Sequence, residues 1–218
     1  MDIVETLACD TIIRSICRLQ WNEITAEELH QAATAYYYFS IQFRENLETA
    51  RHLYPFDESL AELELGECNT DNLSPWPGVA KAGEAMNHDE FMRRALNLSP
   101  LCDRKRQALD AIGLRYLATV RRFDEETRAR SIASYEDGGL ERVFSAMLTA
   151  PDWNNATLQA FHHFLVEHIR FDHDPKQGHG ALARHLGVGA EVEPLWAAFH
   201  RMLTEAVPRL VYSPANAS

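Results

Sequence analysis

Apolar residues recur along this chain at three- and four-residue intervals, the period of a helix with one buried stripe. No run alternates with period two for long enough to make a strand. Ile3, Leu7, Ile12, Ile16 and Leu19 form one such stripe and predict a helix over 3–19. Thr25-Ala26-Glu27-Glu28 opens the next, because a threonine followed three residues later by a glutamate is the capping-box pattern. This helix runs to about His52 through the aromatic cluster Tyr36-Tyr37-Tyr38-Phe39, and Pro55 ends it. A helix over 56–66 follows, then a loop over 67–77 rich in Pro, Asn, Asp and Ser. Helical spacing returns over 78–98, 103–122, 124–134, 137–149, 157–173 and 191–212. Pro100, Pro151, Pro175 and Pro194 fall between these segments or at their starts, where a residue without an N–H is tolerated. The pattern predicts an all-α protein, a single helical bundle of about seven to nine helices over 1–212. A short polar tail, 213–218, completes the chain.

A chain of 218 residues fits one domain with a sizeable core. The net charge of −11 and pI near 5.3 exclude nucleic acid and anionic membranes as favoured partners, since both attract basic surfaces. Cys9, Cys17, Cys68 and Cys102 contain no CxxC pair, so neither a zinc ribbon nor a redox motif is expected. The N-terminus, Met1-Asp2-Ile3-Val4-Glu5, carries acid where a signal peptide needs base. No stretch approaches the roughly 20 apolar residues of a membrane span. The expectation is a cytoplasmic protein, with a homodimer as the default for a bundle of this size.

The candidate chemistry lies in the last third. His168 and Asp172 stand four residues apart and share one helix face, near enough to hold one metal ion, and His179 follows in Gly178-His179-Gly180. Imidazole plus carboxylate suits iron, manganese or zinc. Upstream, Glu62, Glu64 and Glu67 crowd the end of the third helix, Glu84 and His88 are four apart, and Ser134-Tyr135-Glu136 precedes an apolar helix. Each has a plainer reading: a surface hydrogen bond or cap for His168 and Asp172, an exposed helix start for His88, a first-turn acid favoured by the helix dipole for Glu136. His162, His163 and His185 read as packing or surface residues, and Tyr36 to Phe39 as core.

The order of these elements resembles the haem-oxygenase-like di-metal oxidases and oxygenases, in the branch that includes the chlamydial protein associating with death domains. The likeness rests on Ile24-Thr25-Ala26-Glu27-Glu28-Leu29 leading into Tyr36-Tyr37-Tyr38, then an acidic segment ending near Gly66, then Asn87-His88. Ser134-Tyr135-Glu136 follows, and 32 residues after Glu136 come Glu167-His168, Asp172 and His179. It spans roughly 24–182 and implies a haem-oxygenase-like bundle. It also implies two Fe(II) ions, with manganese an alternative, and O2 as co-substrate. The ligands carried over are Glu64, His88, Glu136, His168, Asp172 and His179, the last with Asp174-Pro175-Lys176-Gln177 as an insertion. Glu62, Glu67 and Glu84 remain rivals of Glu64, and Glu45 is a further ligand in some members. The implied activity is oxidation of an amino-acid-like or fatty-acid-like small molecule, by desaturation, C–C cleavage, N-oxygenation or decarboxylation. In this assignment Glu136 bridges or chelates, and Tyr37, Tyr38, Phe39 and Trp76 are candidates to line the substrate pocket.

Three competing readings are kept. A haem oxygenase would use His30 as its proximal ligand, but Gly138-Gly139 is too short for a glycine-rich distal helix. A thiaminase-like hydrolase needs a nucleophilic cysteine in an aromatic setting, which Cys102, between Leu101 and Asp103, lacks. A non-catalytic helical interaction module would have lost at least one ligand position.

Overall fold

The computed structural model describes residues 3–172 and 179–211, with side chains over 9–171 and 179–211. In chain order its helices are α1 (Ile3–Cys17), α2 (Ala26–Leu53), α3 (Glu58–Glu67), α4 (His88–Ala95), α5 (Asp103–Val120), α6 (Glu125–Glu136), α7 (Gly139–Met147), α8 (Ala156–Asp172), α9 (His179–Ala183) and α10 (Glu193–Ala206). The described residues hold ten α-helices, not seven to nine, and no strand; Thr70 with Met86 and Trp76 with Ala80 form isolated bridges. None of these helices is long and apolar enough to cross a membrane.

Helix α2 is the axis of the bundle. Thr25 starts it as read from the sequence: its hydroxyl accepts from the Glu28 N–H at 3.3 Å while its own N–H donates to the Glu28 carboxylate at 2.8 Å. Leu29, Ala32, Ala33, Tyr36, Phe39, Phe43, Leu47 and Ala50 are buried at helical intervals along it. Helices α3, α4, α5, α6, α8 and α10 pack against it. The alanines let neighbouring backbones approach, and the aromatic rings fill the space between. Phe39 meets Phe199 of α10 at 4.3 Å and Tyr135 of α6 at 5.0 Å between ring centroids. Burying such a ring contributes roughly 1.5–3 kcal/mol.

Four expected boundaries move, each for a local reason. The helix expected over 78–98 is only α4; Gly78 and Gly83 adopt left-handed φ of 76° and 71°, which folds 78–87 into turns. Helix α3 runs through Gly66 to Glu67, which the sequence reading left in the loop. Ser134-Tyr135-Glu136 forms the last turn of α6, which extends past 134, and the apolar α7 follows it at Gly139. Helix α10 stops at Ala206, because Pro208 has no N–H with which to continue it. The tail 213–218 and the insertion 174–177 lie outside the described residues.

Candidate metal centre

Five helix ends converge at one point in the bundle. Glu67 is the last residue of α3 and Glu136 the last of α6; His88 opens α4, His179 opens α9, and His168 lies in the final turns of α8. All five are buried, none more than 7% exposed. A carboxylate at a helix C-terminus lies at the negative end of the helix dipole, so each of Glu67 and Glu136 sits where its own helix disfavours it. Burial adds a desolvation cost. Two such groups side by side require a compensating positive charge.

The distances suit metal ions. Glu67 Oε2 is 2.7 Å from His88 Nδ1, which is 2.9 Å from His168 Nε2. On the other side His179 Nδ1 is 3.0 Å from Glu67 Oε1 and 3.3 Å from Glu136 Oε2. Donors bound at about 2.1 Å to one octahedral ion lie about 3.0 Å apart, so these contacts, which are also of hydrogen-bond length, leave the donors spaced as a metal ion would need them. The donors form two groups, Glu67 with His88 and His168, and Glu67 with Glu136 and His179, within each of which all ligand atoms lie within 4.8 Å of one another. Glu67 belongs to both, one oxygen to each. Its Oε1 is buried and faces His179 Nδ1.

Proton positions reinforce this arrangement. His168 Nδ1 lies 2.7 Å from the Phe164 carbonyl, which only accepts, so the ring's proton sits on Nδ1 and a lone pair on Nε2. His88 Nε2 lies 3.0 Å from Asn72 Oδ1, and the amide orientation is set by Asn72 Nδ2 donating to the Gly66 carbonyl at 2.8 Å. His88 therefore carries its proton on Nε2 and turns the Nδ1 lone pair inward. In that tautomer two lone pairs and the Glu67 carboxylate face one another, an arrangement that a proton on His88 Nδ1 or a metal ion stabilises. The donor set of carboxylate and imidazole fits iron, manganese or zinc.

The charge balance agrees. Burial and the neighbouring His88 push the His168 pKa down to about 3, so the ring stays neutral and able to ligate. Burial would also lower His179, but Glu67 and Glu136 outweigh it and raise it to about 11. Burial alone would raise Glu67, yet His88 and His179 hold it well below the usual carboxylate range, whereas burial raises Glu136. The pair of carboxylates thus demands a positive charge, proton or metal ion.

Helix α3 presents Glu67 and not Glu64 as the acidic member of the cluster. Glu64 is half exposed and bound by Arg51 at 3.1 Å. Glu62 is exposed, Glu84 pairs with Arg94 at 2.7 Å, and Glu45 holds Arg121 on the surface. Asp172 ends α8, but its side chain lies outside the described residues. His162 is exposed against Trp153, His163 stacks on Trp76, and His185 pairs with Asp57 on the surface. His30 is buried apart from the cluster, in a cavity of 120 Å³ with Thr34, Tyr37 and Leu96.

A narrow cavity of about 20 Å³, room for about one water molecule, reaches Glu67, His88, Glu136 and His168. Tyr36, Phe43, Leu140 and Phe164 give it apolar walls, while Ser40, Cys68, Arg44 and Asp89 also line it. Arg44 is held by Asp89 at 3.0 Å and Glu48 at 2.6 Å. Of the aromatic residues expected at a pocket, Tyr38 instead donates to Asp110 at 2.8 Å, Phe39 is core, and Trp76 covers His163. The sequence reading missed Tyr36 as lining and missed Asn72 altogether. No protein-family model matches the chain, and no curated protein or solved structure matches it.

Proposed function

We propose that this protein is a non-haem two-metal oxidase of the haem-oxygenase-like bundle type, using two Fe(II) ions and O2 to oxidise a small molecule. The observation that carries the reading is the pair of three-donor groups joined through Glu67, buried beneath a small cavity. Two ferrous ions held there supply electrons for reductive activation of O2. Glu67 would be shared by both ions, His88 and His168 would complete one site, and Glu136 with His179 the other. The apolar walls of Tyr36, Phe43, Leu140 and Phe164 keep bulk water from the reacting atoms. The reading covers amino-acid-like and fatty-acid-like substrates, with desaturation, C–C cleavage or N-oxygenation as outcomes.

Cys68 lines the same cavity, which would favour thiol chemistry of the thiaminase type. Burial, then Glu67 and other nearby carboxylates, push this thiol up to about 12, so it stays protonated and a poor nucleophile. Haem on His30 would leave the buried Glu67, His88, Glu136, His168 and His179 cluster, which lies apart from that histidine, without a role.

Anaerobic addition of Fe(II) is expected to load two equivalents per chain, and O2 then to be consumed with a transient visible absorption. His168→Ala should abolish the iron-dependent O2 consumption while leaving a folded helical protein, and His162→Ala should behave as wild type. Absence of iron uptake, or stoichiometric haem binding, would overturn the assignment.

A further inference from the structure

Residues 68–87 form a long excursion between the two ligands Glu67 and His88. Its neck is closed by backbone bonds, Thr70 N–H to Met86 O at 3.1 Å and Met86 N–H to Thr70 O at 2.9 Å. Beside them the Asn69 N–H donates to Asn87 Oδ1 at 2.9 Å. Farther out, His163 of α8 bonds the Leu73 carbonyl through Nε2 at 3.1 Å. Closing a flexible loop costs entropy that these bonds offset. The closed neck brings the carboxylate of Glu67 to the imidazole of His88.

Within this excursion Asn72 makes two bonds of different kinds. Its amide Nδ2 donates to the Gly66 carbonyl, next to Glu67, and its Oδ1 accepts from His88 Nε2. One side chain therefore ties the end of α3 to the start of α4 and also decides which nitrogen of His88 keeps its proton. His168 receives the same service from a backbone carbonyl, that of Phe164. His88 depends on a side chain, so its orientation is open to substitution.

We infer that Asn72 is a positioning residue for the metal centre: it holds His88 in the tautomer whose Nδ1 binds metal, and it acts on the His88/His168 site and not on the His179/Glu136 site. The inference rests on the metal reading above. An acceptor on the outer nitrogen of a ligating histidine fixes its ring and strengthens its donor nitrogen, and loss of such a partner weakens metal binding about 10- to 100-fold.

The test uses Zn(II) alone as a diamagnetic probe, titrated against a chromophoric chelator, with the full chain and two variants. In Asn72→Ala one zinc equivalent should weaken about 10- to 100-fold while the other keeps its wild-type affinity. Asn72→Asp, which keeps an acceptor for His88 but loses the donor to Gly66, should restore tight binding of that equivalent. Long-range proton–nitrogen NMR of zinc-loaded wild type should show His88 protonated on Nε2, and this measurement needs no variant. Wild type that binds no zinc overturns the metal reading itself. If wild type binds two, then unchanged affinity in Asn72→Ala, equal weakening in both variants, or His88 protonated on Nδ1 overturns the role of Asn72 alone.

Discussion

The two halves of the candidate centre share Glu67 and differ in what holds them. The His88/His168 half has one carboxylate and two imidazoles, each ring fixed from outside by a carbonyl oxygen, from Asn72 and from Phe164. The half formed by Glu136 and His179 has two carboxylates and one imidazole, and the imidazole stands on a helix of 5 residues. Its ring is seated on Gly66, where a Cβ would approach His179 Nε2 to 2.9 Å. Hydrogen bonds that fix tautomers preorganise the first half, whereas concentrated negative charge and a small-residue seat define the second. On the proposed two-metal reading, the two halves are assembled by different physical means around one shared carboxylate.

The largest perturbation removes what the halves share. Glu67→Gln leaves the side chain's shape and takes away the charge and one donor oxygen, so both metal equivalents should be lost from an Fe(II) or Zn(II) titration while far-UV circular dichroism stays helical. Retention of either equivalent at wild-type affinity would break the idea of a shared ligand. A smaller effect should separate the halves. Gly66→Ala puts a methyl group against the His179 ring and should weaken one equivalent only, leaving the site of His88 and His168 intact. Alanine favours the helix over glycine by up to about 1 kcal/mol, so this loss should come without loss of thermal stability. Equal weakening of both equivalents, or of neither, would contradict the proposed seating.

Much of this arrangement was legible in the sequence, and the gaps have physical causes. The capping box at Thr25 and the apolar stripe of α2 depend on neighbours along the chain, so local pattern suffices to find them. His88, Glu136, His168 and His179 were named through the family resemblance, and the structure gathers them in two groups around Glu67; Asp172, named with them, has its side chain outside the described residues. Glu64, two residues before Gly66, was the acid carried over from the resemblance, with Glu67 among its rivals. In the folded chain α3 passes through Gly66, whose missing side chain makes room for the ring of His179. Glu136 had a plainer reading as a first-turn acid; it stands instead at a helix C-terminus, where the dipole opposes it. Asn72 was invisible because its role exists only once the excursion over 68–87 has closed, and the left-handed glycines within that excursion were read as helix.

The most direct test of the central claim is anomalous scattering at the iron edge from crystals of the Fe(II)-loaded protein. The account predicts two peaks about 3.5–4 Å apart on either side of the Glu67 carboxylate, one bound by His88 and His168 and the other by Glu136 and His179. No peak at these residues, or a single iron that leaves Glu67 uncoordinated, would contradict it.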